Sequence, residues 1–72
     1  CYLMLNVEKA KLEEIRGLIP GLGGPTIMEI AGSDSVALHA VVPHERVYQL
    51  INQLKRNGAR DILVLDITRM VR

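Results

Sequence analysis

Apolar residues in the first part of the chain change from a continuous run to a helical spacing. Residues 1–5 form a short apolar run, and its brevity and its position before a helical pattern predict a strand buried on both faces. Over residues 7–19 the apolar positions recur every three or four residues between charged ones, which predicts an amphipathic helix. We expect Asn6 to cap that helix and Glu8 to lie in its first turn, where a carboxylate suits the helix dipole.

Two strand-like stretches follow a segment rich in glycine and proline. Residues 26–31 and 35–42 are mostly apolar, and the segment Gly-Ser-Asp-Ser stands where they meet. These three residue types are common in tight turns because they tolerate or stabilise turn conformations. Two strands joined by a short polar turn predict a β-hairpin.

The last third of the chain predicts a second helix and a fourth strand. After Pro43, apolar residues at i, i+3, i+4 and i+7 form a helical stripe; they are Val47, Leu50, Ile51 and Leu54. Asn57 and Gly58 suit a left-handed helix end, and the apolar run of residues 62–65 predicts a strand covered on both faces. The order βαββαβ predicts one ferredoxin-like α+β domain over residues 1–72, with a four-stranded antiparallel sheet and both helices on one face.

This arrangement leaves a second apolar face on the sheet. In the strand of residues 35–42, even-numbered positions are apolar, and Ala37 and Val41 flank His39 on the other side. In the first strand Tyr2 and Met4 alternate with leucines, so both of its faces are apolar as well. Two helices cover only one face of a sheet, so the other face predicts self-association or packing on another domain.

Composition excludes several classes of function. The chain has 72 residues, a net charge of +1 and no Phe or Trp, so it has neither the basic surface nor the stacking platforms of a nucleic-acid-binding domain. No apolar run approaches the ~20 residues that span a bilayer, and no basic leader or cleavage site precedes the first strand. We therefore expect a cytoplasmic protein that binds neither nucleic acid nor membrane.

Candidate chemistry is sparse. Cys1 is the only cysteine, which excludes an internal disulfide and indicates a free thiol or a cloning remnant. The sequence contains no Cys/His cluster at metal-ligand spacing, no P-loop and no G-x-S-x-G, so we predict no metal site and no catalytic residue. His39 is either a functional residue, as a general base or a ligand contact, or a hydrogen-bonded sheet residue.

The loop of residues 18–26 allows two interpretations. Its glycines and prolines are typical of a connector between a helix and a strand. Bare backbone amides, with the hydroxyl of Thr26 beside them, are also typical of a loop that contacts a small ligand. The residues alone leave both interpretations open.

Several stretches of the chain resemble one known domain. They are residues 2–6, 18–22 with Pro25 and Thr26, 36–43, 58–65 and 67–71. Together they resemble the C-terminal regulatory domain of long-form ATP phosphoribosyltransferase, the first enzyme of histidine biosynthesis. The resemblance runs over essentially the whole chain and implies a ferredoxin-like, ACT-like fold. Between Leu22 and Pro25 the family usually has a charged or small polar pair, where this chain has two glycines.

The resemblance also implies a ligand and partners. L-Histidine would bind as a feedback inhibitor between regulatory domains of a homo-oligomer, a hexamer in the family. Carried over by position, its contacts are Leu22, Thr26, Val41 and Asp61, the last two through backbone atoms, with Glu8 as the acidic contact. The catalytic domains of the parent enzyme, with their Mg²⁺ requirement, lie outside this chain, which therefore needs no cofactor. The alternative hypothesis is an oligomerisation module that binds no ligand.

Overall fold

The helices and strands follow the predicted βαββαβ order. The structure, a computed structural model, describes residues 1–19 and 24–71. Its elements are β1 (Tyr2–Glu8), α1 (Leu12–Leu18), β2 (Thr26–Glu29), β3 (Ser35–Val41), α2 (Val47–Arg56) and β4 (Arg60–Leu65). A single 3₁₀ turn precedes each helix, at Lys9–Lys11 and His44–Arg46. Residues 20–23 of the predicted ligand loop, Leu22 among them, lie outside the described residues.

The four strands form one antiparallel sheet in the order β2-β3-β1-β4. The central pair is continuous, with Tyr2–Glu8 of β1 opposite Ser35–Val41 of β3. β2 pairs with the same β3, which confirms the predicted hairpin, although β2 ends at Glu29. The predicted ferredoxin-like α+β fold is confirmed. Among the described residues, no helix is long and apolar enough to cross a bilayer.

One face of the sheet packs against the helices and forms the core. Every second residue of β1 and β3 points into it, because side chains alternate across a strand. The core residues from these strands are Leu3, Leu5, Val7, Val36, Leu38 and Ala40. Ile15 of α1 and the stripe residues Val47, Leu50 and Leu54 of α2 complete this layer. The helical stripe predicted from spacing is thus confirmed.

The boundary between β1 and α1 differs from the prediction. β1 continues to Glu8, and α1 begins at Leu12, so Asn6 does not cap a helix and Glu8 does not lie in a helical turn. Pairing with β3 extends the strand, because it places Val7 in the core opposite Val36. Burial of an alternating residue on a paired strand outweighs the weak helix preference of this segment.

The prediction that the last strand is covered on both faces is wrong for the single chain. β4 is an edge strand. Leu63 is 56% exposed and Leu65 is 51% exposed. β4 therefore has the sequence pattern of a covered strand, although one of its faces is exposed in the single chain.

A β-bulge near the start of β4 changes the direction of two side chains. Met4 pairs with Leu63 and Asn6 with Arg60, so two steps along β1 match three along β4. Asp61 lies within this bulge and has a φ of 53°. Aspartate tolerates this left-handed conformation better than most residues. As a result the side chains of Asn6 and Asp61 meet, and the Asn6 Nδ2 donates to Asp61 Oδ2 at 3.1 Å.

Gly17 within α1 and Gly58 just after α2 are expected to respond in opposite ways to substitution by alanine. Gly58, after α2, has a φ of +97°, and a Cβ there would lie 2.8 Å from the Cδ of Lys11. Gly17, inside α1, has no atom within 4 Å of such a Cβ. We expect Gly58→Ala to lower the free energy of unfolding by about 1–2 kcal/mol, through left-handed strain. Gly17→Ala should raise it by roughly 0.5–1 kcal/mol.

Urea denaturation of both variants and the unsubstituted chain measures these changes. Equal stabilisation by the two substitutions would show that Gly58 does not need its positive φ.

Candidate ligand site on the open face of the sheet

The face of the sheet turned away from the helices carries most of the candidate contacts. We call it the open face. Directly opposed residues on paired strands point to the same side, and the strand register therefore assigns its members: Tyr2, Met4, Asn6, Glu8, Thr26, Met28, Ser35, Ala37, His39, Val41, Arg60, Leu63 and Leu65. Apart from His39, the centre of this face is apolar, and its other hydrogen-bonding groups lie toward the two ends of the strands.

His39 lies at the centre of the open face and forms a hydrogen bond with Tyr2. Its Nδ1 lies 2.9 Å from the hydroxyl oxygen of Tyr2. The two rings meet edge to face, with their centroids 5.6 Å apart. Of the two interpretations of this histidine, the structure matches the hydrogen-bonded sheet residue.

Two of the candidate contacts lie near one end of the sheet. Thr26 is exposed on the edge strand β2 and stands opposite His39. Val41 is half-buried, two residues further along β3. Diagonal neighbours on adjacent strands are about 7–8 Å apart, so one small ligand can reach both Thr26 and Val41.

The other two candidates lie toward the opposite end. Glu8 pairs with Ser35, whereas Val41 pairs with Tyr2 at the other end of β1. Six steps along a strand at about 3.4 Å per residue separate these two pairs by roughly 20 Å. Asp61 is exposed on β4, beside Asn6. A single chain therefore does not bring Thr26 and Val41 together with Glu8 or Asp61.

The sequence did not indicate the polar cluster at this second end. Besides the contact between Asn6 and Asp61, the Nη2 of Arg60 donates to Ser35 Oγ at 2.9 Å. The bulge in β4 creates the first contact, and a bulge leaves no clear signal in the pattern of apolar residues. The hydrogen bond from Asn6, a residue of the open face, constrains the direction of the Asp61 carboxylate.

A second group of side chains lies near the end that carries Thr26 and Val41. Cys1, His44 and Asp66 each offer one metal-ligand atom, and these three atoms lie within 4.8 Å of one another. The three residues are far apart in the sequence, which is why their spacing predicted no metal site. Among the described residues, they form the one group of at least three His, Cys, Asp or Glu side chains close enough together to hold a metal ion.

The sequence matches a known family over nearly all of its length. The family model described as "HisG, C-terminal domain" matches residues 1–69. The chain belongs to this family. The resemblance inferred from the Pro-Gly-Leu loop and the flanking strands is thereby confirmed.

Curated relatives of this HisG C-terminal domain are ATP phosphoribosyltransferases. It is 50% identical over 70 residues to those of Haloarcula marismortui and Natronomonas pharaonis, matching 97% of this chain and 25% of each relative. It is 50% identical over 72 residues to that of Methanocella arvoryzae, matching 99% of this chain and 25% of the relative. The HisG C-terminal domain thus spans about a quarter of the length of the relatives it matches.

Proposed function

We propose that this domain binds L-histidine between two copies of the chain and serves as the feedback-inhibited part of an ATP phosphoribosyltransferase. The observation that carries the proposal is the match to the HisG C-terminal family over residues 1–69. Phosphoribosyl transfer, with its Mg²⁺, would belong to the part of the cytoplasmic parent enzyme beyond the matched quarter. If two arrangements of the oligomer differ in their affinity for histidine, bound histidine would favour the arrangement with the higher affinity.

The separation of the candidate contacts supports a site shared between copies. A free amino acid presents an ammonium and a carboxylate on neighbouring atoms, so its partners must lie within a few ångströms of one another. Thr26 and Val41 lie at one end of the sheet, and Glu8 and Asp61 lie toward the other. Two copies could pack open face to open face with their strands running in opposite directions. The end of one sheet that carries Thr26 would then lie beside the end of the other sheet that carries Glu8 and Asp61.

The chemistry of these groups matches the two charged ends of the ligand. The exposed Thr26 hydroxyl donates to a carboxylate, and backbone amides of the loop that holds Leu22 would add further donors. The Asp61 carboxylate accepts one hydrogen bond from Asn6 and has lone pairs for an ammonium as well. Glu8, exposed at the end of β1, is the second carboxylate that could hold the ammonium.

Thr26→Ala is expected to weaken L-histidine binding at least tenfold, because a hydrogen bond to a charged group contributes about 1.5–3 kcal/mol. Calorimetric titration of the 72-residue chain with L-histidine measures the change. Thr68→Ala is the matched control, since it makes the same substitution at an exposed threonine after β4. Equal affinities in the two variants would remove Thr26 from the site.

Two further variants decide which carboxylate holds the ammonium. Glu8→Gln and Asp61→Asn each remove one negative charge without changing side-chain length. The variant that loses a charge-assisted hydrogen bond should bind at least tenfold more weakly, and the other should bind like the unsubstituted chain.

The second candidate function is an assembly module that binds no amino acid, and the exposed apolar residues of the open face favour it. Under this alternative, millimolar L-histidine gives no heat and no thermal shift, while the chain still self-associates.

A further inference from the structure

Three different segments of the chain meet at the end of the sheet where β1 begins. Cys1 lies directly before β1, and its nitrogen donates to the carbonyl oxygen of Val42 at 2.9 Å. Tyr2 pairs with both Val41 and Leu65. The first residue after β4 and the connection from β3 to α2 must therefore lie beside Cys1. These positions hold Asp66 and His44.

We propose that Cys1, His44 and Asp66 bind one zinc ion. A thiolate, an imidazole and a carboxylate form a mixed sulfur, nitrogen and oxygen set, which suits Zn²⁺ and not the hard cations Mg²⁺ and Ca²⁺. The site is separate from the proposed histidine contacts and does not depend on the proposed function. Nothing in the sequence spacing or in the names of the relatives assigns it.

The distances between the three side chains fit this ion after a small adjustment. Their ligand atoms lie within 4.8 Å of one another. Around a tetrahedral zinc, with bonds of about 2.0–2.3 Å, ligand atoms stand roughly 3.3–3.6 Å apart. His44 and Asp66 are exposed and Cys1 is half-buried, so rotation about their side-chain bonds can supply the remaining ångström. Three protein ligands leave the fourth position for water.

Charge and protons balance in this site. The Cys1 thiol gives its proton to solvent when sulfur bonds to the metal. The thiolate and the Asp66 carboxylate then match the two positive charges of the ion, and His44 binds as the neutral imidazole. The bound ion would join the start of β1, the connection before α2 and the end of β4, which holds the edge strand against the sheet.

Cobalt titration of the 72-residue chain tests the proposal, because Co²⁺ takes similar sites and reports its ligands by absorption. We expect thiolate-to-cobalt charge transfer in the near ultraviolet, intense visible bands of a four-coordinate ion, and displacement of both by Zn²⁺. Mg²⁺ at millimolar concentration should leave the spectrum unchanged. Zinc at a hundredfold excess over its Kd should raise the Tm by roughly 10–20 °C, because only the folded chain holds the three ligands together.

Single substitutions identify the ligands. Cys1→Ser should abolish the charge-transfer band, and His44→Asn and Asp66→Asn should each weaken Zn²⁺ binding at least tenfold. His44 and Asp66 are exposed, and Cys1 packs against the edge of the core without belonging to it, so the metal-free Tm should change little. Asp34→Asn is the matched control for Asp66→Asn, since it removes an exposed carboxylate in the turn before β3.

The terminal amine of Cys1 could chelate a metal together with its own thiol, and an acetylated chain separates this case from the proposed site. Acetylation removes the amine but keeps an N–H that can donate to Val42. The proposal expects the acetylated chain to bind Zn²⁺ as the unmodified chain does. It is overturned if acetylation abolishes binding, if His44→Asn and Asp66→Asn bind normally, or if Asp34→Asn weakens binding as much as Asp66→Asn.

Discussion

Leu38→Ala is expected to lower the free energy of unfolding by about 2–5 kcal/mol, the range for removing a buried leucine and leaving a cavity. Leu38 is 0% exposed, in the middle of β3 and under the helices. A domain of 72 residues has a total stability of only about 4–11 kcal/mol, at roughly 0.05–0.15 kcal/mol per residue. The single substitution therefore removes a large part of what keeps the chain folded.

The matched control makes the same change on the other side of the sheet. Leu63 is 56% exposed on the open face, and Leu63→Ala should cost less than about 1 kcal/mol at a dilution where the chain is monomeric. Urea denaturation followed by far-ultraviolet circular dichroism measures both variants. Equal losses would mean that the sheet does not separate a core face from an open face.

Much of this core was predictable from the sequence because both of its periodic signals are strong. Val47, Leu50 and Leu54 repeat at the helical spacing, and all three are buried in α2. The apolar even-numbered positions of β3 are likewise buried on the helix side. Helix and strand periodicity record which side of an element faces the core, so these elements could be assigned without knowing what packs against them.

The boundary between β1 and α1 could not be predicted because nonlocal pairing decides it. Asn6 before a charged segment has the local pattern of a helix cap. In the structure its side chain instead donates to Asp61, 55 residues further along the chain. Apolar residues nevertheless continue to alternate at Leu3, Leu5 and Val7, and this alternation is the sequence signal of the longer strand.

The candidate site was less predictable than the fold for two physical reasons. The direction of Asp61 depends on a bulge, and the Cys1, His44 and Asp66 cluster depends on which strands are neighbours. Neither is encoded in local spacing. The proposed contacts also stand at separated positions of one chain, so their meeting depends on how two copies pack.

The apolar residues of β4 support packing between two copies of the chain. Residues 62–65 have the apolar composition of a strand covered on both faces, yet Leu63 and Leu65 are exposed. Tyr2 and Met4 stand directly opposite them on β1. Exposed leucines beside further apolar residues on a sheet are typical of an interface between proteins. A second open face is the partner that our proposal requires.

Leu63→Asp is therefore expected to weaken self-association so far that the chain is monomeric at micromolar concentration. In a twofold-symmetric interface the substitution occurs on both chains, and each copy would bury a carboxylate without a partner. A loss of about 3 kcal/mol in total weakens association by roughly a hundredfold. Sedimentation velocity at micromolar concentration should show the unsubstituted chain as a species larger than its 8.0 kDa monomer and the variant as the monomer.

Tyr48→Asp is the control that locates the interface. Tyr48 is 78% exposed on α2, on the helix side of the sheet, so the same negative charge there should leave association unchanged. Circular dichroism of both variants should match that of the unsubstituted chain, because neither residue belongs to the core. If the unsubstituted chain sediments as a monomer, or if Tyr48→Asp dissociates it as fully as Leu63→Asp, then the open face is not the surface through which copies meet. A histidine site shared between open faces would then be excluded as well, since its two halves lie on surfaces that do not come together.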